Sequence, residues 1–128
     1  MLEIISTEQI ENIIDHLPVE ISFVDADDTV MFYSHGDKRI FRRTPAVIGR
    51  KVQNCHPPKS VHIVQRILDD FKVGKRDVAE FWINLNQRLI YIRYFAVRDI
   101  NKEYKGILEV TQDITNIKKI EGEKRLLD

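Results

Sequence analysis

Cysteine and long apolar runs are nearly absent from this chain of 128 residues, which has Cys55 as its one cysteine. A single cysteine cannot form an internal disulfide, so the chain is not a small secreted domain held together by disulfides. No apolar stretch approaches the roughly 20 residues that span a bilayer, and no signal-peptide pattern opens the chain. We therefore expect a cytoplasmic protein that does not enter a membrane.

Recognisable catalytic and metal-binding motifs are also missing. The chain has no glycine-rich phosphate loop. The acidic group at Asp25, Asp27 and Asp28 lacks the spaced glycine and distal glutamate of a calcium loop, so it predicts a turn. No candidate nucleophile has a recognisable general base and a residue that would orient that base. The sequence therefore predicts a protein that is not an enzyme.

The charges balance overall but not locally. The formal net charge is zero, which argues against a nucleic-acid-binding protein. Residues 35–66 contain eight Lys and Arg against one acid, Asp37, a net charge of +7 that the rest of the chain offsets. This segment is either a solvated face of short helices or a basic rim that attracts an anionic ligand or an acidic partner.

Apolar periodicity and the positions of Pro and Gly predict helices and strands along the whole chain. In chain order the pattern predicts a helix over 7–16 capped by Thr7, strands over 20–25 and 29–33, short helices over 38–42 and 45–47, a long helix over 60–71, strands over 80–84, 88–98 and 104–112, and a last helix over 116–127. Strands separated by a helical middle indicate an α+β fold with an antiparallel sheet.

The strand predicted over 88–98 is apolar on both faces, so both faces must be covered. The middle helices can cover only one face, and the other requires a terminal helix or a second subunit. Arg93 lies among apolar residues, so its burial would require an acidic partner, with Glu80, Glu109 and Asp113 as candidates. We expect a paired Arg93 at the sheet surface or at a dimer contact.

The order of these elements, ending in Asp113-Ile114-Thr115 before a helix, resembles a PAS domain. The strings IGRKVQNCHPPKSV (48–61), FWI (81–83), RYFAVRD (93–99) and EGEKRLL (121–127) are similar to one subgroup. This subgroup is the PAS module at the C-terminal end of prokaryotic proteins that carry a hemerythrin-like domain. The resemblance implies that the chain belongs to a longer parent protein of that kind.

The PAS resemblance implies a five-stranded antiparallel sheet with short helices and one long helix on one face. It also implies flanking N- and C-terminal helices, which divides the chain into an N-terminal helix over 1–18, a core over 19–115 and a C-terminal signalling helix over 116–128. Such domains are sensory or regulatory modules that bind a small ligand between the sheet and the helices, form dimers, or do both. We expect a homodimer, although fold analogy does not select the ligand.

Cys55 and His56 form the most specific candidate site in the sequence, because thiolate and imidazole both bind metal ions and haem iron. The basic segment would suit the propionates of a haem, so a haem-binding gas or redox sensor is the alternative function. Zinc would need about four ligands, which the chain does not supply. The competing interpretation is a rigid loop in which Pro57 and Pro58 begin the long helix.

His62 is a second haem-ligand candidate, because some haem-binding PAS domains use a histidine on this helix. At 3.6 residues per turn, however, it shares a face with the polar residues Gln65, Arg66 and Asp69, so we expect it to face solvent.

Asp113 and Thr115 are the candidate signal-relay residues. Either side chain can cap a helix beginning near Asn116 and thereby fix its entry angle. Shifts in the sheet would then move that helix.

Overall fold

A five-stranded antiparallel sheet organises the chain in the computed structural model, which describes residues 2–126. The strands lie in the order β2-β1-β5-β4-β3, so the first strand sits inside the sheet beside the last. The elements are α1 (Thr7–Asp15), β1 (Glu20–Asp25), β2 (Val30–Tyr33), α2 (Pro58–Lys72), β3 (Val78–Leu85), β4 (Arg88–Arg98) and β5 (Tyr104–Asp113), with 3₁₀ turns at Gly36–Lys38, Pro45–Val47, Val52–Cys55 and Ile117–Lys119. The predicted α+β fold with a five-stranded antiparallel sheet is confirmed.

The core lies between α2 and one face of the sheet, which we call the inner face. Leu68 and Phe71 of α2 are fully buried, at 0% exposure, and belong to one cluster with Val24 and Ile107 of the central strands. These α2 residues belong to the predicted apolar stripe at helical spacing. Burying such side chains is the main favourable term in the free energy of folding.

The cap of α1 is Ser6, one residue before the predicted Thr7, which is instead the first residue of the helix. Ser6 Oγ accepts a hydrogen bond from Gln9 N at 3.0 Å, while Ser6 N donates to Gln9 Oε1 at 2.9 Å. This reciprocal capping box satisfies two backbone N–H groups that would otherwise lack partners, which Thr7 as a cap would not achieve. No residue of α1 is buried: in its apolar stripe Ile13 is exposed, and Ile10 and Ile14 are only partly covered.

The segment between β2 and α2 lacks the helix predicted over 38–42, because Arg39 is extended and buried rather than helical. Its guanidinium donates to Ser34 O at 3.0 Å and to Phe41 O at 3.1 Å, and lies 3.6 Å from the Glu20 carboxylate. These contacts hold the segment against β1. The predicted helix over 38–42 is therefore wrong, and a turn over Gly36–Lys38 replaces it.

The predicted C-terminal helix over 116–127 is also wrong for the residues that the structure describes. A single 3₁₀ turn covers Ile117–Lys119, and Ile120 is extended. Gly122 then adopts a φ of +64°, outside the range of a right-handed helix. A short helix is marginal in water without tertiary packing, and residues 117–126 are all exposed. Residues 127 and 128 lie outside the described part.

Replacing Gly106 with alanine should destabilise the fold strongly. Its φ is +143°, and an added Cβ would lie 2.1 Å from Val24 O of the paired strand. The backbone would have to separate, so we expect a loss of several kcal/mol in the free energy of unfolding, measured by urea denaturation.

Gly74→Ala is the matched control, because Gly74 also has a positive φ but an added Cβ there would meet nothing within 4 Å. That variant should lose only about 1 kcal/mol. Equal losses in the two variants would contradict the close β1–β5 approach.

Candidate functional site

A small cavity of about 30 Å³ lies between the inner face and α2. It holds about one water molecule and is roughly a tenth of the volume of a typical small-molecule pocket. Most of its wall is apolar, from Val24 and Ile107 of the sheet and Val64, Ile67 and Leu68 of α2. The described side chains thus nearly fill the space between sheet and helix.

One end of this inner cavity is polar. Glu109 of β5 lines it, forms an ion pair with Arg43 at 3.2 Å and accepts a hydrogen bond from Ser22 Oγ at 3.2 Å. Both members of the ion pair are largely buried. His56 and Tyr94 line the same cavity. The sheet therefore presents a carboxylate to the cavity whose charge is already offset by a cation.

This environment shifts the protonation of the two neutral groups. Burial lowers the pKa of His56 below its usual value, with Glu109 opposing and Arg43 reinforcing the shift. Burial also raises the pKa of Tyr94 far above its usual value, and Glu109 adds to this. Near neutral pH both side chains are uncharged, so each can donate or accept a hydrogen bond.

The structure separates the two residues of the Cys55–His56 candidate. His56 lines the cavity, whereas the Cys55 thiol lies 3.7 Å from Lys51 O and packs against the edge of the core. Pro58 is the first residue of α2, as the rigid-loop interpretation predicts, and His62 is exposed. A cavity of about 30 Å³ does not fit a porphyrin ring. Within residues 2–126 no group of three His, Cys, Asp or Glu side chains could hold a metal ion.

The chain leaves the sheet through a hydrogen-bonded lock between the end of β5 and the start of β4. Asp113 Oδ1 accepts bonds from Thr115 N at 3.0 Å and Thr115 Oγ1 at 2.6 Å, and Asp113 Oδ2 pairs with Arg88 at 2.5 Å. Thr115 Oγ1 accepts from Leu89 N at 2.9 Å, and Ile114 N donates to Leu89 O at 2.9 Å. We call these five residues the exit lock.

Asp113 and Thr115 do not have the helix-capping role that was expected from the sequence. Neither caps a following helix, since the turn at Ile117–Lys119 has no side-chain cap. Instead, the Asp113 carboxylate accepts hydrogen bonds from Thr115 and from Arg88 of β4, and the Thr115 hydroxyl accepts one from Leu89 of β4. The hydroxyl and backbone of Thr115, then Arg88, lower the pKa of Asp113 to about 2, so its carboxylate stays ionised at any physiological pH.

The other face of the sheet, which we call the outer face, carries a row of rings around one cation. Trp82 lies 6.4 Å from Tyr91 between ring centroids, and the Arg93 guanidinium lies 4.8 Å from the Tyr91 centroid and 5.6 Å from that of Phe95. Among the described residues of this single chain Arg93 has no ion pair, so the prediction of an acidic partner within the same chain is wrong. Glu109 lies on the inner face with Arg43, and aromatic faces take the place of an acid.

The family model described as PAS domain matches residues 10–115 of this chain. The chain belongs to the PAS domain family. This match covers the whole sheet, α2 and the exit lock, and most of α1, so the site described above is part of the family fold.

Solved structures agree with this assignment. A C-terminal domain from Streptococcus mutans is 35% identical, covers 91% of each chain and superposes with a TM-score of 0.85. The PAS domain of Bordetella pertussis BvgS is 19% identical over 85% of this chain and 86% of that one, with a TM-score of 0.62. A sensory box sensor histidine kinase from Vibrio cholerae is 13% identical over 83% and 89%, with a TM-score of 0.58. No curated protein matches the chain.

The polar end of the inner cavity was not predicted from the sequence. Arg43 and Glu109 are 66 positions apart, and neither belongs to a motif. Glu109 occupies an alternate position of β5 between Ile107 and Thr111, so its side chain lies on the inner face. A charged residue at a position where the strand pattern predicts a core residue was the sequence signal that could have indicated a polar site. Within the described part, no helix of this PAS domain is long and apolar enough to cross a membrane.

The lowered pKa of His56 predicts a pH dependence of stability. Unfolded His56 titrates near 6.5, so below about pH 6.5 the unfolded chain binds more protons than the folded one. The stability that neutral His56 contributes is complete above that pH and is lost as pH falls through the lowered folded pKa. His56→Gln should therefore flatten the decline in unfolding free energy below about pH 6.5, measured by urea denaturation.

His62→Gln on the exposed side of α2 is the control for loss of an imidazole. A decline that is equally steep in wild type and His56→Gln would contradict the burial of the neutral ring.

Thr115→Val should weaken the exit lock without altering the core. The variant removes both the acceptor for Leu89 N and the hydroxyl donor to Asp113. One hydrogen bond is worth about 1 kcal/mol, so exchange of the Leu89 amide should accelerate about fivefold or more, measured by NMR. The pKa of Asp113 should also rise from about 2. Thr44→Val at an exposed position is the control, and unchanged exchange at Leu89 would exclude the lock.

Proposed function

We propose that this PAS domain is a sensory or regulatory module that works as a homodimer and relays a signal through the exit lock. The observation that carries the proposal is the attachment of the chain leaving β5 to the start of β4. Thr115 and Asp113 each bond to β4, so a displacement of that strand would move the segment that follows. Such a link transmits a change in the sheet without a flexible hinge.

The outer face supports the dimer. Trp82 is 62% exposed, and Nε of Arg93 is buried without a hydrogen-bond partner in the described residues. A row of aromatic rings around an arginine has the composition that is enriched in protein interfaces. α1 offers a second apolar surface that is only partly covered, because Ile10, Ile13 and Ile14 share a face, Ile13 is exposed and none of the three is buried. A second copy can cover both surfaces.

The ligand that such a PAS module would sense is small, if it occupies the inner cavity. The cavity accepts about one water molecule unless His56 and the loop before α2 move outward. A haem-binding sensor is not part of this proposal, because the cavity does not fit a porphyrin and Cys55 does not line it. Hemin mixed with the protein should therefore give no shifted Soret band that depends on His56.

A position at the C-terminal end of a longer protein is also part of the proposal. The similar Streptococcus mutans structure is described as a C-terminal domain. The strings at 48–61 and 93–99 resemble the PAS module of proteins with a hemerythrin-like domain. In such a parent protein, α1 would connect the upstream domain to the sheet, and the exit lock would hold the opposite terminus of the module.

Trp82→Glu should dissociate the dimer while leaving the fold intact. The variant removes the large exposed ring of the outer row and puts in its place a carboxylate that a dimer would have to desolvate, whereas the exposed position keeps that carboxylate in water in the monomer. Native mass spectrometry across a dilution series should show wild-type dimer and Trp82→Glu monomer, and it would also report any small molecule retained after purification.

Ile100→Glu is the matched control, since Ile100 is 97% exposed in a turn away from the outer row. It should remain dimeric. A wild-type monomer at every concentration, or a dimer unaffected by Trp82→Glu, would overturn the assignment of the outer face.

A further inference from the structure

A second opening, separate from the inner cavity, lies where the two ends of the PAS core meet. It is an open cleft of about 200 Å³ between the linker before β1, the turn after β2 and the end of β5, and it shares no lining residue with the inner cavity. We call it the linker cleft. Its polar lining residues are Glu20, His35, Lys38, Thr111, Gln112 and Asp113.

Two buried polar atoms on residues of the linker cleft lack hydrogen-bond partners. Thr111 is 0% exposed, and its Oγ1 has no partner among the described residues. Glu20 is 6% exposed, and its Oε2 accepts no hydrogen bond, with only the Arg39 guanidinium at 3.6 Å. Buried polar atoms are normally paired because leaving one unpaired is costly. Glu20 and Thr111 lie directly opposite each other in β1 and β5. Two buried polar atoms without hydrogen-bond partners, a carboxylate oxygen and a hydroxyl, therefore belong to one site.

The charges around the linker cleft leave one cation free. Glu20 is paired with Arg39, and Asp113 with Arg88. The ring nitrogens of His35 are engaged by Ser34 Oγ at 2.6 Å and Leu17 O at 3.1 Å. Lys38 is exposed at the cleft and forms no ion pair within the described part of the chain. The residues that line the linker cleft therefore carry an exposed ammonium without an ion pair, a buried hydroxyl without a hydrogen-bond partner and a buried carboxylate oxygen that can accept one more bond.

We propose that the linker cleft binds a small carboxylate with a hydrogen-bond donor on the adjacent carbon, the chemistry shared by α-hydroxy and α-amino acids. The ligand carboxylate pairs with Lys38, and the donor group on the adjacent carbon enters between Glu20 and Thr111 and hydrogen-bonds to both Glu20 Oε2 and Thr111 Oγ1. A cleft of about 200 Å³ equals roughly six water volumes, which matches a ligand of about six non-hydrogen atoms.

Occupancy of the linker cleft would act on both ends of the PAS core. Its walls include Leu17 and Pro18, which join α1 to β1, and Asp113 of the exit lock. A ligand held there would tie the incoming linker to the outgoing segment. This role does not depend on the inner cavity or on the outer face.

Three compounds with the same carbon skeleton test the proposal: propionate, lactate and alanine carry hydrogen, hydroxyl and ammonium on the adjacent carbon. Each is titrated into the full chain while the backbone amide resonances are followed by NMR. Lactate or alanine should shift the resonances around Lys38 and Thr111 saturably, and propionate should bind at least about tenfold more weakly because it lacks the donor. The tighter of the two identifies the donor as hydroxyl or ammonium.

Two variants with matched controls assign the contacts. Lys38→Gln removes an exposed cation and Thr111→Val replaces a hydroxyl by a methyl group of the same size, so neither should unfold the chain; each should weaken binding about tenfold. Lys59→Gln and Thr44→Val, both exposed and outside the cleft, should leave it unchanged.

The absence of a saturable shift with all three compounds would overturn the proposal and leave only water in the cleft. Binding that survives both Lys38→Gln and Thr111→Val would also overturn it. Propionate binding as tightly as lactate would overturn the assignment of Glu20 and Thr111 to a donor.

Discussion

The antiparallel pairing of β1 with β5 is the constraint on which the rest of the molecule depends. It joins strands from opposite ends of the chain, with Glu20 opposite Thr111 and Asp25 opposite Gly106. Gly106 permits this close approach because it has no Cβ; a Cβ at this position would collide with Val24 O. The pairing puts β1 inside the sheet and gives α2 a continuous inner face to cover. The inner cavity and the linker cleft both lie along this pair of strands.

Along the same pair, the inner face changes from apolar to polar. Val24 and Ile107 meet α2, whereas Ser22 with Glu109 and then Glu20 with Thr111 meet the segment between β2 and α2. That segment supplies Arg43 and Arg39 as counter-ions, so each buried carboxylate is paired. Buried ion pairs rarely add stability over apolar packing, which suggests that these groups are kept for specificity or for binding.

Much of the fold could be predicted from local patterns. The bounds of β4 were predicted correctly from its apolar run. The position of α2 was predicted from its stripe at helical spacing, although the helix is two residues longer at its start and one residue longer at its end than predicted. Errors occurred where a distant contact overrides a local preference: Arg39 is extended because its side chain reaches the sheet, and Thr115 bonds to Leu89 rather than capping a helix. The prediction of a C-terminal helix was wrong for the opposite reason: the described residues of this segment are exposed, so no tertiary contact stabilises a helix there, and Gly122 has a positive φ.

By itself the sequence determined the five strands and the long helix, their order, the absence of disulfides and the resemblance to PAS domains, because these depend on residue types and on periodicity over neighbouring positions. Only the tertiary structure decided that His56 and not Cys55 lines the cavity, that Arg93 lies between aromatic rings, and that Glu20 and Thr111 meet at a second cleft. These facts follow from strand register and side-chain direction between residues tens of positions apart, and no local pattern encodes them.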